Sequence, residues 1–148
     1  MRSFASLGVL LALLVATSCG GDEEATGGTV AVTLQEFAVL PAQDSVPAGD
    51  VTFNATNNGP ADPHELVVIR TDLDPGALPT KDDGSVDENG AGIQIIGEIE
   101  EFPVGETKSA THTLSAGSYV LICNIAELEE GQVEAHYALG MRASLTVT

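Results

Sequence analysis

The sequence has 148 residues, a formal net charge of −17, 43% hydrophobic residues and only two cysteines. That length suits one domain, large enough to bury a core without disulfide support. The acidic balance argues against nucleic acid and anionic membrane faces as partners and suits a basic protein partner.

In chain order, the first element reads as an export signal. Leu7 to Leu13 is almost wholly apolar and continues through Leu14, Val15 and Ala16, with Arg2 and the terminal amine as the positive charge ahead of it. A run this short suits a signal peptide, whereas a membrane span needs roughly 20 apolar residues. Residues 1–18 therefore read as the signal and 19–28, Gly-rich and acidic, as a flexible tether. Small residues, then Cys19, then a polar stretch resemble a bacterial lipoprotein signal, although Ala16 stands where Leu is preferred. The expectation is acylation of Cys19 and a membrane-anchored protein at the outer face of the cytoplasmic membrane or in the periplasm. Ala16-Thr17-Ser18 also suits an ordinary signal peptidase, which would release a secreted form with Cys19 free.

From Thr29 onward the pattern is that of strands. Thr29–Leu34 and Val51–Thr56 alternate, and Asn57-Asn58-Gly59-Pro60 ends the second with turn chemistry. Leu66–Ile69 is apolar on both faces and suits a central strand; Thr111–Leu114, Tyr119–Cys123 and Ala143–Val147 complete the set. The expected fold is all-β, a single Greek-key β-sandwich over residues 29–148. Residues 71–92, rich in Asp, Gly and Pro, read as a solvated surface loop without EF-hand spacing. Ile93–Phe102 fits either a strand or a short helix.

The chemistry is concentrated in a few side chains. Cys123 has no plausible disulfide partner, because Cys19 lies in the export segment's cleavage zone. Met141 is the only methionine once Met1 is removed with the signal. His64 opens one strand, Cys123 ends another, and His136 and Met141 follow with four residues between them. Gly140 allows a tight turn before Met141. Two imidazoles, a thiolate and a weak axial thioether are the donors of a blue-copper centre. Zinc is the chemical competitor, but its structural sites favour four strong ligands, which a lone Met does not supply.

His64 at a strand start, then Cys123…His136-x4-Met141 and a final alternating strand, resembles the cupredoxins, particularly those of plastocyanin and sulfocyanin type. Asn57-Asn58-Gly59 ahead of His64 and Gly117-Ser118-Tyr119 ahead of Cys123 are similar to that family too. The resemblance covers most of residues 29–148. It implies a type 1 copper ion, His64, Cys123 and His136 as strong ligands, Met141 as the axial one, and single-electron transfer between redox partner proteins. The expected state is a monomer. Twelve residues separate Cys123 from His136, where the family usually has a few. This polar insert, Asn124–Ala135, is expected to loop out at little entropic cost, about 0.6 kcal/mol per doubling of length. Glu127 is an alternative axial ligand, Glu65 is surface charge if it points outward, His112 is an exposed bystander, and Tyr137 is a packing residue near the site. A copper carrier or storage protein is the alternative function, weakened by the single mature Met, and a cupredoxin-fold interaction domain is another. An enzyme is not expected: no nucleophile–base order, phosphate loop or second metal cluster stands in the sequence.

Overall fold

A computed structural model describes residues 26–148, so the expected signal peptide and the Cys19 anchor lie outside the described residues. The strands in chain order are β1 (Gly28–Gln35), β2 (Ala38–Pro41), β3 (Ser45–Val46), β4 (Gly49–Asn57), β5 (His64–Arg70) and β6 (Gln94–Phe102). They continue as β7 (Thr107–Leu114), β8 (Gly117–Ile122), β9 (Ala126–Glu129) and β10 (Gln132–Ala135), then the short helix α1 (His136–Leu139) and β11 (Arg142–Val147). Two sheets form, ordered β2-β1-β4-β7 and β3-β11-β8-β5-β6, and β9 pairs only with β10. The chain crosses between the sheets after β2, β3, β4, β6 and β7, the crossover habit of a Greek-key sandwich.

Period-2 alternation decides which side chains fill the space between the sheets. Val30, Val32 and Leu34 of β1 and Val51, Phe53 and Ala55 of β4 meet Leu66 and Val68 of β5, Tyr119 and Leu121 of β8, and Leu145 and Val147 of β11. All are buried, and each large apolar side chain removed from water contributes about 1.5–3 kcal/mol. Cys123 and Met141 belong to the same cluster, so the sulfur donors sit at the end of the core and not on the surface.

Several expectations need correction. Of the segment Ile93–Phe102, which the sequence left open between strand and helix, Gln94–Phe102 is strand: β6 pairs antiparallel with β5 through Leu66↔Ile99 and Val67↔Glu98. Residues 71–92 are irregular, yet they are more than a solvated loop. The outer face of β5 and β8 presents Val67, Ile69, Val120 and Ile122, and Leu78, Val86 and Tyr137 cover it in a second buried cluster. The insert is a β-hairpin with register Glu127↔Glu134 and Leu128↔Val133. Its two-residue turn, Glu130-Gly131, has φ of 49° and 84°, the positive values that a type I′ turn requires. His112 is half-buried: alternation along β7 puts it on the inner side with Ala110 and Leu114, its ring 6.4 Å from that of Phe53. A side chain at Gly97 would place its Cβ 2.2 Å from the His112 ring, so glycine is required there.

Candidate metal centre

The pole that carries His64 is built by the connection from β4 to β5. Asn57, fully buried, donates from Nδ2 to the carbonyls of Asp62 (2.9 Å) and Phe102 (3.1 Å). Its Oδ1 accepts the Gly59 N–H at 2.8 Å. One side chain thus holds the whole approach to His64. Gly59 has φ of 62°, and a Cβ there would lie 2.7 Å from the Val104 side chain. Cys123 follows β8 directly, and β5 and β8 are hydrogen-bonded neighbours (Val67↔Ile122), so two donors arrive on adjacent strand ends.

The remaining donors lie on a compact return. The hairpin closes on Ile125 O, which accepts the His136 N–H at 2.9 Å; α1 then spans four residues and Gly140 ends it with φ of 130°. Met141 N–H donates to His136 O (3.0 Å), and Cys123 N–H donates to Met141 O (3.2 Å). Cys123, His136 and Met141 are thereby stitched together through the backbone.

The donor atoms converge. His64 Nδ1 lies 3.3 Å from His136 Nδ1, and Cys123 Sγ lies 3.9 Å and 3.4 Å from the two. Metal bonds of about 2.0–2.1 Å to nitrogen and about 2.3 Å to sulfur, set at 120°, separate the donors by roughly 3.6 Å (N···N) and 3.8 Å (N···S). The spacing is therefore that of three ligands around one ion. Hydrogen bonding alone leaves the cluster unsatisfied. Each neutral imidazole has one N–H, so two facing Nδ1 atoms share at most one good bond, and both Nε2 atoms are buried without a hydrogen-bond partner. An unsatisfied buried polar atom costs about 1–3 kcal/mol. The thiol is in the same position: burial pushes the Cys123 pKa up to about 12, with backbone N–H groups pulling only weakly against it. A cation in place of the thiol proton removes that penalty. His64 is held below the usual imidazole range by burial first and then by His136, which keeps its ring neutral and able to ligate.

Other named side chains have different places. Tyr137 points away from the donors: its hydroxyl donates to Pro75 O (2.8 Å) and accepts the Leu78 N–H (3.1 Å), tying down the outer covering segment. Asn124 does the same from the other side, accepting the Val86 N–H at 2.6 Å and donating to Val86 O at 3.2 Å. The sequence marked Asn57 only as part of a turn and did not single out Asn124, although an Asn directly after the proposed ligand Cys123 was an available signal. Glu65 is not simple surface charge. It is half-buried, accepts the Asn124 N–H at 3.0 Å, and has its carboxyl pushed up to about 7 by burial, against that hydrogen bond. Its own N–H faces Cys123 Sγ at 3.5 Å. Glu127 is on the outer side of the His136 ring, with Oε1 3.9 Å from Nε2, whereas the donors converge through Nδ1. That position does not suit an axial ligand.

No protein-family model and no curated protein matches the sequence. Among solved structures, the chain is similar to an auracyanin from the photosynthetic bacterium Roseiflexus castenholzii (24% identity, TM-score 0.56, covering 81% of this chain and 96% of that one). It is also similar to auracyanin B (26%, TM-score 0.52, 82% and 88%) and to reduced rusticyanin (18%, TM-score 0.51, 81% and 78%). These neighbours are cupredoxins. With two sheets in this order and a buried His64–Cys123–His136 triad beside Met141, the chain has the cupredoxin fold, and its donor set fits one type 1 copper ion.

Proposed function

We propose that the protein is a blue-copper electron carrier, with His64, Cys123 and His136 as strong ligands and Met141 as the weak axial one. When bound, copper supplies a one-electron Cu(I)/Cu(II) couple. The observation that carries the reading is the convergence of two Nδ1 atoms and one Sγ within 3.9 Å at a wholly buried pole. The chain's own residues do the rest. The strand ends of β5 and β8 fix two ligands before metal arrives, so little nuclear rearrangement accompanies a change of charge. Burial excludes water, and the Met141 thioether, as a weak axial donor, stabilises Cu(II) less than a stronger ligand would. A copper store or shuttle is less well supported, since release is served by exposed donors and all three here are 0% exposed.

The setting is part of the proposal: export by residues 1–18, a lipid anchor at Cys19, and exchange of electrons with partner proteins that carry a basic docking surface. The lipoprotein-like segment and the charge of −17 support it. The test is absorption and EPR spectroscopy of the Cu(II)-loaded protein. An intense thiolate-to-copper band with narrow hyperfine splitting is expected, and Cys123→Ser abolishes both. A blue Cys123→Ser protein, or a colourless wild type, would end the assignment.

A further inference from the structure

We infer that the β9–β10 hairpin is a positioning device for His136, with Glu127 and Glu134 as the acceptors for its Nε2–H. The inference rests on the copper reading above. If Nδ1 of His136 is a ligand, the neutral ring carries its proton on Nε2. That atom is fully buried and has no hydrogen-bond partner among the described residues. It is not, however, surrounded by apolar groups. Glu127 Oε1 and Glu134 Oε1 each stand 3.9 Å away. The two glutamates face one another across the hairpin as a register pair, so a single rung delivers both carboxylates to one ring edge. The approach needed to reach a charge-assisted N–H···O bond is about 1 Å, within the reach of a glutamate side-chain rotation.

The surroundings make the assignment specific. Phe37 packs edge-on against the His136 ring at 5.3 Å and His64 packs against it at 5.1 Å, so the ring is gripped on its other sides. The hairpin touches neither main sheet as a paired strand, and its tip exposes Leu128 and Val133. What the insert contributes to the pole is therefore the Glu127–Glu134 rung. A ligating histidine that donates its second N–H to a carboxylate is fixed in tautomer and orientation, and becomes a more basic ligand. More basic donors favour Cu(II), so the rung sets the couple lower than a solvent-exposed ring edge would.

Glu127→Gln/Glu134→Gln keeps shape and removes both anions; Glu129→Gln/Glu130→Gln makes the same charge change away from Nε2. In nitrogen-15-labelled, Cu(I)-loaded protein, the His136 Nε2–H is expected to resist solvent exchange in the wild type and the control, and to exchange faster in the Glu127/Glu134 variant. Cu(II) affinity is expected to fall about tenfold in that variant. With Cu(I) affinity unchanged, tenfold is about 59 mV of higher potential for one electron. The control is expected to show less than half of that logarithmic shift. Equal shifts in both variants with unchanged exchange would overturn the inference. So would a second equivalent of Zn2+ bound by the blue protein and lost in Asp62→Asn, because Asp62, Glu134 and His136 Nε2 also lie close enough to share an ion. A wild type without the thiolate band sinks the copper reading and this inference with it; a blue wild type insensitive to the rung sinks this inference alone.

Discussion

Shortening the hairpin separates what the insert does from what it merely carries. Replacing residues 128–133 with Asn-Gly leaves the Glu127↔Glu134 rung flanking a two-residue turn and cuts the Cys123–His136 spacer from twelve residues to eight. Three terms bear on stability. Closing the shorter loop gains about 0.4 kcal/mol from the logarithmic dependence on length. Two cross-strand rungs are lost, and because Leu128 and Val133 are 75% and 56% exposed, their pair falls at the low end of about 0.2–1 kcal/mol. Asn-Gly also suits positive φ better than Glu130, which holds 49° now. The unfolding free energy of the metal-free protein is expected to stay within about 1 kcal/mol of wild type in a urea titration. The Cu(II)-loaded variant is expected to stay blue with an unshifted potential. Destabilisation beyond about 2 kcal/mol, larger than two exposed rungs provide, would refute the reasoning. Loss of the thiolate band would show that the tip, and not the rung, organises His136.

Three other changes have definite outcomes. Met141→Leu conserves volume at a fully buried position, so it is expected to cost under about 1.5 kcal/mol, retain copper and raise the reduction potential; a copper-free variant would contradict the axial assignment. Gly97→Ala forces a Cβ into the His112 ring, and a thermal melt is expected to show a loss of about 1–3 kcal/mol, rescued when His112→Ala is added. In the metal-free protein, Glu65 keeps its proton to about pH 7 when folded but releases it nearer 4.5 when unfolded. The native state then binds more protons between those values, so stability falls as pH rises from about 4.5 to 7 and levels off above; Glu65→Gln is expected to flatten that slope in denaturation series.

The donors were legible because their chemistry is rare in this chain. One unpaired Cys, one Met and a His at fixed spacing stand out without knowledge of the fold, and in the structure backbone hydrogen bonds join Cys123, His136 and Met141. The strands were legible from alternation, most clearly in β1 and β4. What escaped depends on partners distant in sequence. Leu78 and Val86 are isolated apolar residues in an acidic tract, and only the two-faced apolarity of β5 and β8 demands that something cover them. The hairpin escaped because its strands are polar and its turn is Glu-Gly, without the Asn-Gly or Asp-Gly signal. His112 escaped because its flanking threonines suggested a polar face, when alternation puts His112 on the opposite side. The side-by-side delivery of Glu127 and Glu134 follows from the hairpin register alone.

The place of β11 governs how the molecule comes into being. It lies between β3 and β8, and its pairing Thr146↔Ser45 joins positions about a hundred residues apart. A nascent chain still lacking residues 142–147 has a gap inside its larger sheet, whatever turns it has already formed. Sheets closed by such distant pairings form slowly, because the chain gives up its entropy before the contacts return anything. Met141 directly precedes this last strand and its carbonyl accepts the Cys123 N–H, so the fourth side chain of the pole takes its place only with the strand that fills the sheet.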